Sequence, residues 1–147
     1  MALKVRFKKL SPEAVVPTKA HESDAGFDLV ATSVKADGDG NLVYGTSLAV
    51  EIPRGYVGLI FPRSSICMRQ MFLTNAVGVI DCGYRGEVMA KFKYTNGGIL
   101  REYGGIYEVG DRIAQLIIMP YPEVEFKEVE ELSDSDRGDG GYGSTGK

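Results

Sequence analysis

The chain has 147 residues, an ordinary length for one domain, and its 44% hydrophobic and 25% charged residues are enough to bury a real core. A net charge of −3 excludes a broad electrostatic attraction for nucleic acid, and no apolar run approaches the roughly 18 residues of a membrane span. The only cysteines, Cys67 and Cys82, make no disulfide framework, and MALKVRFKKLSPEA lacks the apolar core of a signal peptide, so an intracellular, reducing compartment is expected.

Taken in order, residues 3–9 (LKVRFKK) alternate, with Lys4, Arg6, Lys8 and Lys9 against Leu3, Val5 and Phe7. This reads as a strand with one solvated face rather than a grip on nucleic acid. His21, the lone histidine, is expected in an exposed loop. Residues 23–29 (SDAGFDL) are turn-rich, and Asp28 there reads as a turn or strand-end residue. A turn at 37–41 (DGDGN) precedes a strand at 47–52 (SLAVEI), and a turn at 53–55 precedes another at 56–61 (YVGLIF). Residues 64–72 (SSICMRQMF) alone could make a short helix, with Ser64 or Ser65 as N-cap.

Farther on, VGVID at 77–81 is a strand ending in a carboxylate, and CGYRG reverses the chain into the next strand, which reads as a β-hairpin. That next strand, 87–94 (EVMAKFKY), sets Val88, Ala90, Phe92 and Tyr94 on one face. Turns are expected at 96–98 and 108–111. Residues 112–119 (RIAQLIIM) are apolar on both faces, as a central strand requires, and 123–129 (EVEFKEV) continues the β pattern. Many short strands with little helix argue for an all-β sandwich or barrel, spanning residues 1–132. From 133 to 147 the chain is polar and glycine-rich, too poor in apolar groups to offset ordering entropy, and is expected to be a mobile arm.

Four segments carry candidate chemistry before the arm. PRSSI at 62–66 sets an arginine fork beside two hydroxyls, a sound anion cradle. Residues 75–89 gather an amide, a carboxylate and a ring in Asn75, Asp81 and Tyr84. Asp81 and Cys82 are strand neighbours facing opposite ways, and no second histidine exists to form a relay, so Cys82 reads as structural. Asp28 offers a carboxylate, and Gln115 an amide inside an apolar strand. Burying that amide unpaired would cost about 1–3 kcal/mol, so a structural partner or a substrate contact is expected. No CxxC or HExxH occurs, so no structural zinc site is expected. The tail, RGDGGYGSTGK, fits GxGxxG through Gly138, Gly140 and Gly143 and most of a P-loop through Gly141, Gly146 and Lys147. Both loops need a following helix, which the tail does not supply. Its glycines are expected to serve a phosphate site built elsewhere, or none.

In this order and spacing, AGFDL, PRSS, GVIDCGYRG, GDRIAQL and RGDGGYGSTG together resemble the trimeric dUTP pyrophosphatase (dUTPase) family, from about residue 25 to 146. The resemblance implies a jelly-roll β-barrel with one short helix, a three-fold homotrimer with active sites shared between subunits, and a cytoplasmic location, the host's cytoplasm if the source is viral. It implies hydrolysis of dUTP to dUMP and pyrophosphate with Mg²⁺ bound by the triphosphate, which limits uracil incorporation into DNA and supplies dUMP. Neither nucleic acid nor membrane is an expected partner.

Carried over residue by residue, Asn75 and the backbone around Gly78, Val79 and Ile80 read the uracil edge. Asp81 activates the attacking water. Tyr84 packs under the deoxyribose, where a 2′-hydroxyl would collide, and Met89 lines the nucleoside pocket. Arg63, Ser64, Ser65 and Gln115 hold phosphates, and Asp28 acts on magnesium through water. The arm closes over a neighbouring subunit's site. There Arg137, Ser144 and Thr145 meet the terminal phosphate, Gly143 and its fellow glycines bring backbone N–H groups to it, and Tyr142 stacks on uracil where the family usually has Phe. The alternatives are a dCTP deaminase of the same fold, which needs a carboxylate placed at the base, or a dUTPase-like regulatory binding protein.

Overall fold

The computed structural model describes residues 2–95 and 105–142. Nine strands occur among them: β1 Arg6–Lys9, β2 Phe27–Val30, β3 Ser33–Ala36, β4 Asn41–Glu51, β5 Tyr56–Pro62, β6 Met71–Leu73, β7 Gly78–Ile80, β8 Glu87–Tyr94 and β9 Arg112–Pro120. They form two antiparallel sheets. One runs β1-β4-β8-β6, with β3 also paired to β4; the other runs β2-β9-β5-β7. This is the all-β, jelly-roll arrangement expected.

Alternation positions the core. In β8, Val88, Ala90 and Phe92 are buried while Met89, Lys91 and Lys93 are exposed. Tyr94 shares the inward register but lies at the strand's open end and is exposed. β9 is an inner strand, hydrogen-bonded to β2 on one side and β5 on the other, which is why apolar residues fill both its faces. Between the sheets pack Leu29, Val50, Ile52, Ile60, Leu73, Ile113 and Leu116 with an aromatic group of Tyr44, Phe92 and Tyr107. Burial pushes the Tyr44 phenol up to about 12, and its hydroxyl donates to Tyr107 O at 2.8 Å.

Three expectations are corrected. The helix over 64–72 is a 3₁₀ turn over Ser64–Met68, closed by Ile66 N–H to Arg63 O (2.9 Å). Its N-cap is Arg63, not a serine, and no side chain caps it. The helix ends there because Met71 and Leu73 bury on a period of two and pair with β8. The hairpin joining β7 to β8 does not form either: β7 pairs with β5 and β8 with β4 and β6, so the 81–86 turn carries the chain from one sheet to the other. Lastly, 123–129 is not a strand. Val124 is 61% and Phe126 96% exposed, and no strand among the described residues pairs with this segment.

The turn expected at 96–98 lies outside the described residues. No helix among the described residues is long and apolar enough to cross a membrane.

Candidate active site

The turn between the sheets builds one wall of a cleft of about 210 Å³. In β7, Gly78 and Ile80 face the core opposite Ile60 and Gly58 of β5, while Val79 is exposed. Asp81 follows, also exposed. The N–H of Tyr84 donates to Asp81 O (3.0 Å), which closes the turn and brings the tyrosine back beside the carboxylate. Asn75 stands ahead of β7, inside a tight reversal closed by Ala76 N–H to Leu73 O (3.0 Å), in which Ala76 adopts the left-handed φ of 58°. Asn75, Gly78, Val79, Ile80, Asp81 and Tyr84 therefore line one cleft, with Met89 of β8 opposite.

Sequence reasoning missed the supports of this wall. Tyr84 Oη donates to Glu87 O at 2.9 Å, and its ring lies against Gly86, where a Cβ would overlap the phenol. Glu87, which also lines the cleft, accepts the N–H of Ser47 through its carboxylate (2.7 Å), at the register shift in β4. Arg85 donates to Cys82 O (2.7 Å) and Tyr84 O (2.8 Å), and its guanidinium lies 3.4 Å from Glu51. The turn is thus clamped to β4 by two long side chains whose targets are 40 and 34 positions away in sequence. The half-buried Cys82 packs against the core, as a structural role requires.

A second cleft, about 280 Å³, holds Asp28, Arg63, Ser64 and Gln115. Register explains the grouping: Asp28 of β2 pairs with Gln115 of β9, which pairs with Phe61 of β5, and Arg63 follows two residues on. The Asp28 side chain, 14% exposed, accepts from Arg63 Nε at 2.7 Å and from Arg112 at 3.2 Å. The Arg63 fork and the Ser64 hydroxyl offer donors to an anion, while Asp24 lines the cleft with Asp28, so the lining carries no excess positive charge. Asp28 lies within a strand rather than at a turn, and its direct partners are these arginines. Gln115 donates to Pro62 O at 3.0 Å, the structural partner its burial required. Gly26 leaves space for that side chain; a Cβ there would overlap Gln115 Oε1.

Ser65 does not line this cleft. Its Oγ meets Tyr107 Oη at 3.1 Å. Arg137 and Tyr142 line neither cleft, and Arg137 donates to Gly140 O of its own segment at 2.9 Å. Gly143, Ser144 and Thr145 lie outside the described residues. The two clefts meet at β5: the second runs over the ends of β2, β9 and β5 at Asp28, Gln115 and Arg63, the first over β5 and β7 at Ile60, Gly78 and Ile80, and they have no lining residue in common. No group of three or more His, Cys, Asp or Glu side chains suited to a metal occurs among the described residues.

A model of the dUTPase family matches residues 12–146. The chain is 44% identical over 146 residues to the deoxyuridine 5'-triphosphate nucleotidohydrolase of Corynebacterium glutamicum, covering 97% of this chain and 95% of that protein. Among solved structures it is similar to the dUTPase of Staphylococcus bacteriophage 80alpha with dUPNHPP: 31% identity, TM-score 0.83, covering 99% of this chain and 100% of that one. It also resembles a dUTPase from phage phi11 of S. aureus, described with a structural Mg(II) ion: 30% identity, TM-score 0.74, covering 88% and 99%.

Proposed function

Because the chain belongs to the dUTPase family, we propose that its two clefts are complementary parts of one nucleotide site, in an enzyme that hydrolyses dUTP to dUMP and pyrophosphate. The observation that carries the assignment of residues is the cleft joining Asn75, Asp81, Tyr84 and Met89. The Asn75 amide pairs with the uracil edge alongside the backbone of Gly78, Val79 and Ile80. Tyr84, held by Glu87 O and Gly86, is a platform that excludes a 2′-hydroxyl. Asp81 takes a proton from water as the water oxygen attacks the α-phosphorus; the bond to the bridging oxygen breaks and pyrophosphate leaves. With no histidine near, this carboxylate is the base, and positioning with charge neutralisation carries the rest.

Arg63, Ser64 and Gln115 hold phosphates in the second cleft, and Ser65, which lies next to Ser64 but outside that cleft, meets a phosphate beyond it. Asp28 aims Arg63 and keeps unused acceptor capacity toward a metal-bound water. One hard carboxylate beside an anion cradle fits a magnesium ion that arrives on the triphosphate and retains waters. When bound it would neutralise phosphate charge.

That the two clefts have no lining residue in common supports sites completed by different chains of a homotrimer. So do the exposed Val124, Phe126 and Leu132, apolar groups left without a cover in one chain. Residues 133–147 act as the arm, bringing Arg137, Tyr142, Gly143, Ser144 and Thr145 to a neighbour's site. Two unpaired cysteines fit a cytoplasmic location. The deaminase and regulatory-protein alternatives are not favoured by the relatives' names.

Hydrolysis in H₂¹⁸O tests the attack. Label is expected in dUMP, and label in pyrophosphate would overturn attack at the α-phosphorus.

A further inference from the structure

Tyr107 carries a phenol that the proposed mechanism does not use. The residue is 1% exposed, and its ring packs edge-on against Tyr44 and Phe92, with centroids 6.3 and 5.6 Å away. Its backbone carbonyl accepts the Tyr44 hydroxyl. On the side toward the 3₁₀ turn, Arg69 lies 4.7 Å over the ring, donates to Ile106 O at 3.1 Å and approaches Asp111 to 3.7 Å. Ring, backbone and neighbouring loop are all held, so the hydroxyl occupies a fixed point. That point is 3.1 Å from Ser65 Oγ.

We infer that Tyr107 is a positioning residue for the phosphate cradle, fixing the Ser65 hydroxyl as a donor toward the nucleotide. This rests on the reading of Ser65 as a phosphate ligand. The direction of the bond follows from valence. A fully ionised phosphate oxygen can only accept, so Ser65 must give it its one proton. The Tyr107–Ser65 bond then survives only with Tyr107 as donor. A donor at its back leaves Ser65 one proton and one direction, and the two bonds in series polarise each other. Without the phenol, the Ser65 hydroxyl rotates freely and competes for local acceptors.

Four full-length proteins distinguish this role from mere packing: the parent, Tyr107→Phe, Ser65→Ala and the double variant. Each is checked for thermal unfolding and then titrated with α,β-imido-dUTP and with deoxyuridine, which carries no phosphate. Tyr107→Phe keeps the ring in place and is expected to fold. Tyr107→Phe is expected to weaken the triphosphate analogue by about three- to ten-fold, the size of one neutral hydrogen bond, and Ser65→Ala by about ten- to hundred-fold, the size of one bond to a charged oxygen, both with deoxyuridine affinity unchanged. The double variant is expected to bind no worse than Ser65→Ala, because the phenol acts only through Ser65.

Parent-like triphosphate affinity in Tyr107→Phe, with a loss in Ser65→Ala, would overturn the inference and leave the phosphate reading standing. Unchanged triphosphate affinity in Ser65→Ala would overturn that reading and this inference with it. An equal loss of deoxyuridine affinity, or additive losses in the double variant, would also overturn the positioning role.

Discussion

Asp81 is exposed and lines the same cleft as Tyr84, whose N–H donates to Asp81 O. Asp81→Asn keeps the shape and hydrogen-bonding reach of the side chain and removes its basicity. Turnover is expected to fall about 10²- to 10⁴-fold with dUTP-analogue affinity nearly intact, which single-turnover kinetics and calorimetry would measure. Near-normal turnover would remove Asp81 from the role of base. Tyr84 depends on Gly86, since any side chain there displaces the phenol. Gly86→Ala is therefore expected to mimic Tyr84→Ala, both raising activity on UTP relative to dUTP. An unchanged dUTP/UTP ratio in both variants would count against the sugar platform.

Among the elements, β4 carries the largest share of the frame, pairing β3 and β1 along one edge and β8 along the other. Its entry loop is pinned at Asp37, which accepts from Lys91 Nζ at 2.7 Å, Asn41 Nδ2 at 2.9 Å and Asp39 N at 3.0 Å. These partners, Lys91 first, hold the Asp37 carboxyl far below the ordinary aspartate value. A depressed folded value means the contribution is complete above the unfolded value of about 3.9 and is lost as pH falls through the folded one. Asp37→Asn is therefore expected to lower Tm at pH 7 and to converge with the parent as pH drops well below 4. A constant Tm difference down to pH 2 would show that the charge is not responsible. The β2–β9 register gives a second test. Asp28→Ala leaves Arg63 and Arg112 without their shared carboxylate and is expected to cost about 1–3 kcal/mol in denaturant unfolding.

For the whole molecule, sites shared between chains, as proposed, would make activity depend on assembly, and residues 121–132 are exposed in the single chain. A chain ending at Asp136 is expected to fold with an unchanged melting temperature, because the described residues beyond are exposed or nearly so and none belongs to the core. It is expected to lose most turnover while binding nucleotide weakly, since in the proposed mechanism the arm closes to complete the phosphate site and exclude water. Subunit exchange between this truncated chain and Asp81→Asn should restore part of the activity, because some hybrid sites combine an intact Asp81 with an intact arm. Full activity in the truncated chain would overturn the lid, and no recovery on mixing would overturn the sharing between chains.

Much was legible in the linear sequence because it is local. Alternation marks strands such as 87–94, an apolar run on both faces marks an inner strand such as β9, and the spacing of five short segments carries the family resemblance. Those segments named Asn75, Asp81 and Tyr84 together, since they lie within ten residues of one another and one turn gathers them. Pairing is not local. Whether CGYRG closes a hairpin or crosses between sheets depends on which strands compete for β7 and β8, and β5 and β4 win. The same holds for EVEFKEV, whose alternation records a preference for extended structure but cannot supply the neighbouring backbone that would make it a strand. Glu87, Arg112 and Tyr107 gave no local signal. Their roles arise from partners at Ser47, Asp28 and Ser65, between 40 and 84 positions away, which the β4–β8 and β2–β9 pairings and the folding of the 3₁₀ turn against Tyr107 bring within hydrogen-bond reach.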